Sequence, residues 1–488
     1  MTRSRTPRAP APAEADGRWS PALWGLLFVL AGNMLIDALE VSVALVALPS
    51  IGEDLGLATA RLQWVVSGFA VGFGALLLFG GRVVALLGRR PVYLAALLVF
   101  AAASLVSALA DSATLLVATR FVKGFCAALT APTGLAIIAS TFPEGPARSR
   151  ALSVYTLFGA SGFSVGLVLS GALTEVSWRW TFAFPAPVAL LLFVAGLRLI
   201  PRDRPDPKTP RRYDAAGALS LTGAMLVLVY AIASGPVAGW DHPRTIGAFV
   251  LAVLLAVVFV RVERTVPQPL LNLELFAHEP LVRSALGAGA LNGSYLGLLL
   301  VSTLHLQQRE GFGPLQTGLA FLPAAVPLAL TALHSGRIVT RFGPARLIAA
   351  GAAAAPLGYA LYPRDGGSVH YATDVLPTLL LVGAAFVLAF TAFHVQATGS
   401  VPVAQQAMAG GLYQTAVQLA AALMTVLCAA LYPTGRGPVL VLITAVGIAG
   451  LVVALRGLAT RRVADAAAHH ARSAGPVNDP RHRAQDRT

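Results

Sequence analysis

Run after run of about 20 apolar residues, separated by short polar turns, leaves this chain few ways to fold. Runs of that length cross a hydrocarbon layer of roughly 30 Å as helices. In lipid every backbone amide needs an internal partner, which permits helices or closed barrels, and the short alternating strands of a barrel are absent from the sequence. Composition agrees: of 488 residues 56% are hydrophobic and 12% charged, against about 25% charged in soluble domains. The reading is an all-α membrane bundle of about 14 spans, grouped as six, two and six. Its expected parts are an N-terminal tail at 1–21, a first six-helix half at 22–198, linkers with two inserted helices at 199–280, and a second six-helix half at 281–457. A polar tail at 458–488, with few apolar residues, is expected to lack order.

The net charge of +14 invites a nucleic-acid reading, which the placement of the charge argues against. The basic residues lie in short turns and tails, no basic stripe is interleaved with aromatics, and no reader motif is present. Apart from Arg61, Arg179, Arg244, Arg309, Arg364 and Arg436, the Lys and Arg residues outside the spans fall on the side of the N-terminus. The positive-inside rule then puts both termini in the cytoplasm of a multi-pass protein of the inner or plasma membrane. No cleaved signal peptide is expected, because the first span is too long and no A-x-A site follows it. Cys126 and Cys428 sit in separate apolar spans and read as core residues. With no Ser/His/Asp spacing, metal-ligand cluster or P-loop, neither an enzyme nor a cofactor or metal is expected.

Against this apolar background four charges stand out. A charged side chain at the bilayer centre costs about 2.5–3.5 kcal/mol on insertion scales, so each is a functional candidate. Asp37 and Glu40 lie three apart on the first span, and Arg120 and Lys123 three apart on the fourth, so each pair shares a helix face. Glu40 lies nine residues before Pro49, about 13 Å from the outer end, and Arg120 lies nine residues after Asp111. The two spans run in opposite directions, so equal depth pairs Glu40 with Arg120 and, one turn deeper, Asp37 with Lys123. A static neutral cluster that only fixes packing fits the same spacing. If a proton exchanges at this cluster, Glu40 is expected to carry it and Arg120 to set its acidity. Weaker polar signals are Asn33, Asn292, Gln414 and Gln418, possible cavity residues, and His305 and His394 near span ends.

A short repeat divides the chain. Gly81-Arg82-Val83-Val84 followed by Gly88 recurs as Gly336-Arg337-Ile338-Val339 followed by Gly343, each after the second span of a six-span half. Matching segments in matching places imply two homologous halves, as in transporters built from repeats.

These residues resemble the major facilitator superfamily, specifically its fourteen-helix drug:proton antiporter branch. Leu39-Glu40-Val41-Ser42 through Ala47-Leu48-Pro49 is similar to the branch's first-helix motif. Gly81 and Arg82 through Gly88, Arg89 and Arg90 look like its signature loop, and Arg120 through Gly124 like its fourth-helix motif. Gly162, Gly166 and Gly171, followed by Trp178-Arg179-Trp180, resemble the fifth-helix antiport motif. Pro269-Leu270-Leu271, Leu275-Phe276 and Gly318 through Pro323 match later landmarks. The resemblance implies a secondary transporter that works by alternating access. It would take the proton gradient as its energy source and export small amphipathic molecules such as antibiotics or a secondary metabolite. Its partners would be that substrate, protons and the lipid bilayer, with no nucleic acid and no obligate protein partner. Uptake by proton symport, uncoupled facilitation and a non-transporting sensor are the alternatives. The chain departs from the family pattern at Glu40 (Asp in the family), Ala85 (Asp), Lys123 (a polar residue), Leu167 (Pro) and Ser170 (Gly).

Overall fold

The computed structural model describes residues 19–202, 214–267, 269–364 and 369–473. Residues 1–18, the linker 203–213 and the final 474–488 lie outside that description, and with them most of the expected N-terminal tail. The described residues form helices throughout: α1 (Pro21–Leu55), α2 (Thr59–Leu87), α3 (Arg89–Ala108), α4 (Ala113–Thr141), α5 (Pro146–Val176), α6 (Trp178–Ala183), α7 (Pro185–Leu199), α8 (Ala215–Ala238), α9 (Pro243–Thr265), α10 (Glu279–Gln308), α11 (Pro314–Ala320), α12 (Leu322–Thr331), α13 (Ser335–Phe342), α14 (Pro344–Leu361), α15 (Leu376–Gly399), α16 (Gln406–Leu431) and α17 (Arg436–Ser473).

Proline explains why some crossings are broken. Pro185 separates α6 from α7, Pro323 falls where α12 follows α11, and Pro327 lies within the short α12; each removes a backbone donor from the ladder. With α6–α7 taken as one crossing and α11–α13 as another, the segments group as six, two and six. Thirteen of them are long and apolar enough to cross a membrane, and α14, 18 residues and rich in Ala, is the remaining one. The outer surface is correspondingly apolar: Val250, Leu251, Val253 and Leu254 of α9 are all about half exposed or more. The protein is a multi-pass membrane protein.

The halves repeat one packing scheme. In the first, α1 packs on α5 and α7, α2 on α4, and α3 on α4 and α7; in the second, α10 packs on α16 and α17, α12 on α15, and α14 on α15 and α17. Across the halves α2 meets α16, and α5 meets α11 and α12. Those two seams exchange under the same correspondence, which is the pattern of a two-fold relation between repeats. The inserted helices pair with each other, and α8 lies against both α2 and α16.

Two expectations are corrected. The tail was expected to lack order from residue 458, but α17 continues to Ser473; its run Ala-Asp-Ala-Ala-Ala is rich in the residue with the highest helix propensity. The repeated Gly-Arg segments are helical and form the last turns of α2 and α13. Only Gly88 and Gly343 make the turn, at φ 90° and 78°, a region open to glycine because it lacks Cβ.

Candidate functional site

Glu40 lies on α1 with its side chain fully buried, and so do Arg120 and Lys123 on α4. Arg120 Nη1 bonds Glu40 Oε2 and Lys123 Nζ meets Oε1, so one carboxylate holds both cations. Arg120 is further held by the Glu40 carbonyl at 2.8 Å and the Val65 carbonyl of α2 at 2.8 Å. Aromatic rings sheathe the cations: Phe69 lies 4.9 Å from the guanidinium, Phe100 5.1 Å from the ammonium, and Phe182 faces both. A buried charge is tolerated when paired and hydrogen-bonded, and ring faces add attraction for cations.

Glycine brings the helices close enough for these bonds. A Cβ on Gly124 would stand 2.3 Å from the Phe69 carbonyl oxygen, and one on Gly72 2.3 Å from that of Phe121. The Arg-x-x-x-Gly motif therefore combines a charge with the bare backbone that lets α4 press on α2. The fifth-helix glycines do the same between α5 and α1: a Cβ on Gly162 would meet the Leu35 carbonyl oxygen at 2.4 Å, and one on Gly166 would meet Ser42 Oγ at 2.2 Å. Ser170, where the family has Gly, donates to the Val43 carbonyl at 2.6 Å. Gly171 faces the second half, beside Leu315, and the Leu167 carbonyl oxygen abuts Gly318 at 2.3 Å from where a Cβ would stand. Gly162→Ala is expected to lower stability by about 1–3 kcal/mol through overpacking against backbone, read as a drop in thermal midpoint of the purified protein in detergent.

Glu40 meets Arg120 as depth predicts, but Asp37 does not meet Lys123. Asp37 Oδ2 accepts from Asn33 Nδ2 at 2.9 Å and from Thr130 Oγ1 at 2.9 Å. The reason lies in side-chain direction. Side chains lean toward the N-terminus of their own helix, so in antiparallel α1 and α4 they lean opposite ways. The long side chain of Lys123 swings back toward Glu40, while Asp37 leans the other way and finds Thr130. Asp37 is buried and both of its hydrogen-bond partners are neutral. Thr130 carries no sequence signal beyond being one hydroxyl in an apolar span.

The residues read as possible cavity lining are not brought together. Asn33 serves Asp37. Asn292 of α10 donates weakly to the Val417 carbonyl of α16 at 3.4 Å. Gln414 is half-buried on α16, and Gln418 is buried against Gly74 of α2. What does meet between the halves is aromatic: Phe163 of α5 contacts Tyr295 of α10 (centroids 5.8 Å apart), which contacts Phe386 of α15 (4.7 Å), followed by Phe390 (5.4 Å). His394, two turns beyond Phe386 on α15, is exposed and lies edge-on to Tyr413.

Around Gly81 and Gly88, the basic residues tie helix ends together. Arg82 donates to the Pro269 carbonyl at 2.8 Å, Arg89 to Ser140 Oγ at 2.9 Å, and Arg90 to the Leu197 carbonyl. This end of the bundle is called here the basic face.

A helical bundle of two repeated halves, with ionised groups buried in its core, is the architecture of a secondary transporter. The chain belongs to the major facilitator superfamily, whose family model matches residues 30–425. It is 39% identical over 373 residues to the puromycin resistance protein of Streptomyces alboniger, covering 75% of this chain and 72% of that protein. To the lincomycin resistance protein of Streptomyces lincolnensis it is 32% identical over 428 residues, covering 86% of each. Among solved structures, a POT family transporter in complex with 5-aminolevulinic acid superposes with a TM-score of 0.69 at 14% identity, covering 92% of this chain and 97% of that one. That likeness concerns the fold alone.

Proposed function

We propose that this protein is a proton-driven exporter of small amphipathic organic molecules, with its basic face and both termini in the cytoplasm. The observation that carries the reading is the charge balance inside the first half. Glu40 and two cations sum to one positive charge, and Asp37, one turn away with neutral partners only, sets the total. Ionised, Asp37 makes the group neutral; protonated, it leaves the group positive. The exchangeable proton is therefore assigned to Asp37 rather than Glu40, whose carboxylate is committed to Arg120 and Lys123. Loading and unloading that proton changes the charge buried within the first half, and alternating access would link each state to one side of the membrane. The aromatic column Phe163–Tyr295–Phe386–Phe390 supplies flat apolar contact for a ringed or amphipathic substrate. Relatives named for resistance to puromycin and lincomycin support the export direction.

The test is transport in everted membrane vesicles, where the cytoplasmic side faces the medium. Acidifying the lumen is expected to drive ethidium from the medium inward, and an uncoupler to abolish it. Accumulation that survives the uncoupler would remove proton coupling. Accumulation driven only by the reversed gradient would remove the direction.

A further inference from the structure

A second pair of acids lies far from the ion cluster, where the inserted helices join the rest of the molecule. Asp214 caps α8: its Oδ1 accepts from Gly217 N at 2.7 Å. Glu263, near the end of α9, uses Oε2 to accept from Leu271 N at 3.0 Å. Both residues are more than nine-tenths buried, and the other oxygen of each, Asp214 Oδ2 and Glu263 Oε1, has no hydrogen-bond partner among the described residues. Those two oxygens converge on one point, 2.4 and 2.7 Å from where a Cβ on Gly217 would stand. Two buried carboxyl oxygens facing each other, with no donor between them among the described residues, call for a proton, because like charges sharing a site cannot both persist.

The segment that Glu263 holds, 269–272, bridges the two halves. Arg82 at the end of α2 donates to the Pro269 carbonyl at 2.8 Å, and Asn272 N lies 3.1 Å from Met408 Sδ at the start of α16. Its Leu270 and Leu271 are buried. The segment thus crosses the same α2–α16 seam against which α8 lies. Among the described residues, charged groups around the acid pair come from three elements. Arg82 reaches over from α2, Arg261 and Arg264 flank Glu263 on α9 at exposed positions, and Glu274, also exposed, is bonded to Asn272. At the start of α16, Met408 and Gln405 bring no charge.

We propose that Asp214 and Glu263 share a single proton and so form a second proton-binding site, which clasps segment 269–272 across the α2–α16 seam on the basic face. With the proton in place, one carboxyl donates to the other, and Glu263 keeps its hold on Leu271. When the proton leaves, adjacent carboxylates repel and the clasp loosens. A group that binds its proton more tightly in the folded arrangement is stabilising at low pH, and that contribution is lost as pH rises through its own titration. The clasp therefore closes in acid and opens in alkali. This site does not depend on the role given to Asp37.

Hydrogen exchange on the full chain in lipid nanodiscs, across pH 6 to 9, tests the proposal together with infrared spectroscopy of protonated carboxyls. Amides of Leu270, Leu271 and Asn272 are expected to lose protection by about tenfold beyond the intrinsic pH dependence, the equivalent of one pK unit. That excess should vanish in Glu263→Gln. A protonated-carboxyl band should bleach over the same pH range, persist in Asp37→Asn and disappear in Asp214→Asn. An exchange profile that follows only the intrinsic dependence, or a band untouched by Asp214→Asn, overturns the site. Because the infrared arm reads the wild type first, poor folding of a variant does not leave the question open.

Discussion

Asp37→Asn is expected to abolish uphill export while leaving downhill exchange running. The amide is isosteric, so its oxygen can still accept from Thr130 and Asn33, and packing around it is kept. What it cannot do is take up a proton, so the buried group with Glu40, Arg120 and Lys123 stays at one positive charge. In proteoliposomes the variant should show no accumulation against a gradient, at the level of an uncoupled control. Ethidium counterflow with no gradient imposed should continue near the wild-type rate and lose its response to pH. A variant that still concentrates substrate would return the proton to Glu40 or move it elsewhere.

Glu40→Gln should act on stability before it acts on transport. The carboxylate neutralises two buried cations, and removing one partner of a buried pair costs about 3–5 kcal/mol, since it leaves charge uncompensated in a low dielectric. Poor yield and a sharply lowered unfolding midpoint in detergent are the expected readings. Lys123→Met should be milder, because Arg120 still neutralises Glu40 and keeps its bonds to the Glu40 and Val65 carbonyls. Combining Lys123→Met with Glu40→Gln should recover part of the loss, as one buried cation fewer is left unpaired. If Glu40→Gln unfolds with the wild type, the pairing contributes nothing and the cluster reading fails.

Much of this was legible in the sequence because the bilayer simplifies the problem. Apolar runs of about 20 residues identify crossings almost by length, and their grouping as six, two and six agrees with the structure. The Glu40–Arg120 pair followed from equal depth on antiparallel spans. The second pair failed on the same arithmetic, which places Cα atoms along an axis and ignores how side chains lean; Lys123 spans a helical turn and Asp37 does not. The aromatic column was invisible because Phe163, Tyr295, Phe386 and Phe390 lie on three helices whose apolar character runs all round. Asp214 and Glu263 lay near the expected linkers, where charged residues ordinarily face water.

The glycine contacts have a mechanical corollary. Gly162 and Gly166 seat α5 on the backbone of α1, while Gly72 and Gly124 seat α4 on that of α2, and contacts that close leave little room to slide. The first half thus behaves as two stiff plates, α1 with α5 and α2 with α4. The bonds joining Glu40 to Arg120 and Lys123, and Asp37 to Thr130, all cross the line where the plates meet. Under the proposed proton exchange, a change of charge there would shift one plate against the other rather than flex a helix, and because α5 and α2 make the most extensive contacts with the opposite half, each plate would carry that shift to a different seam.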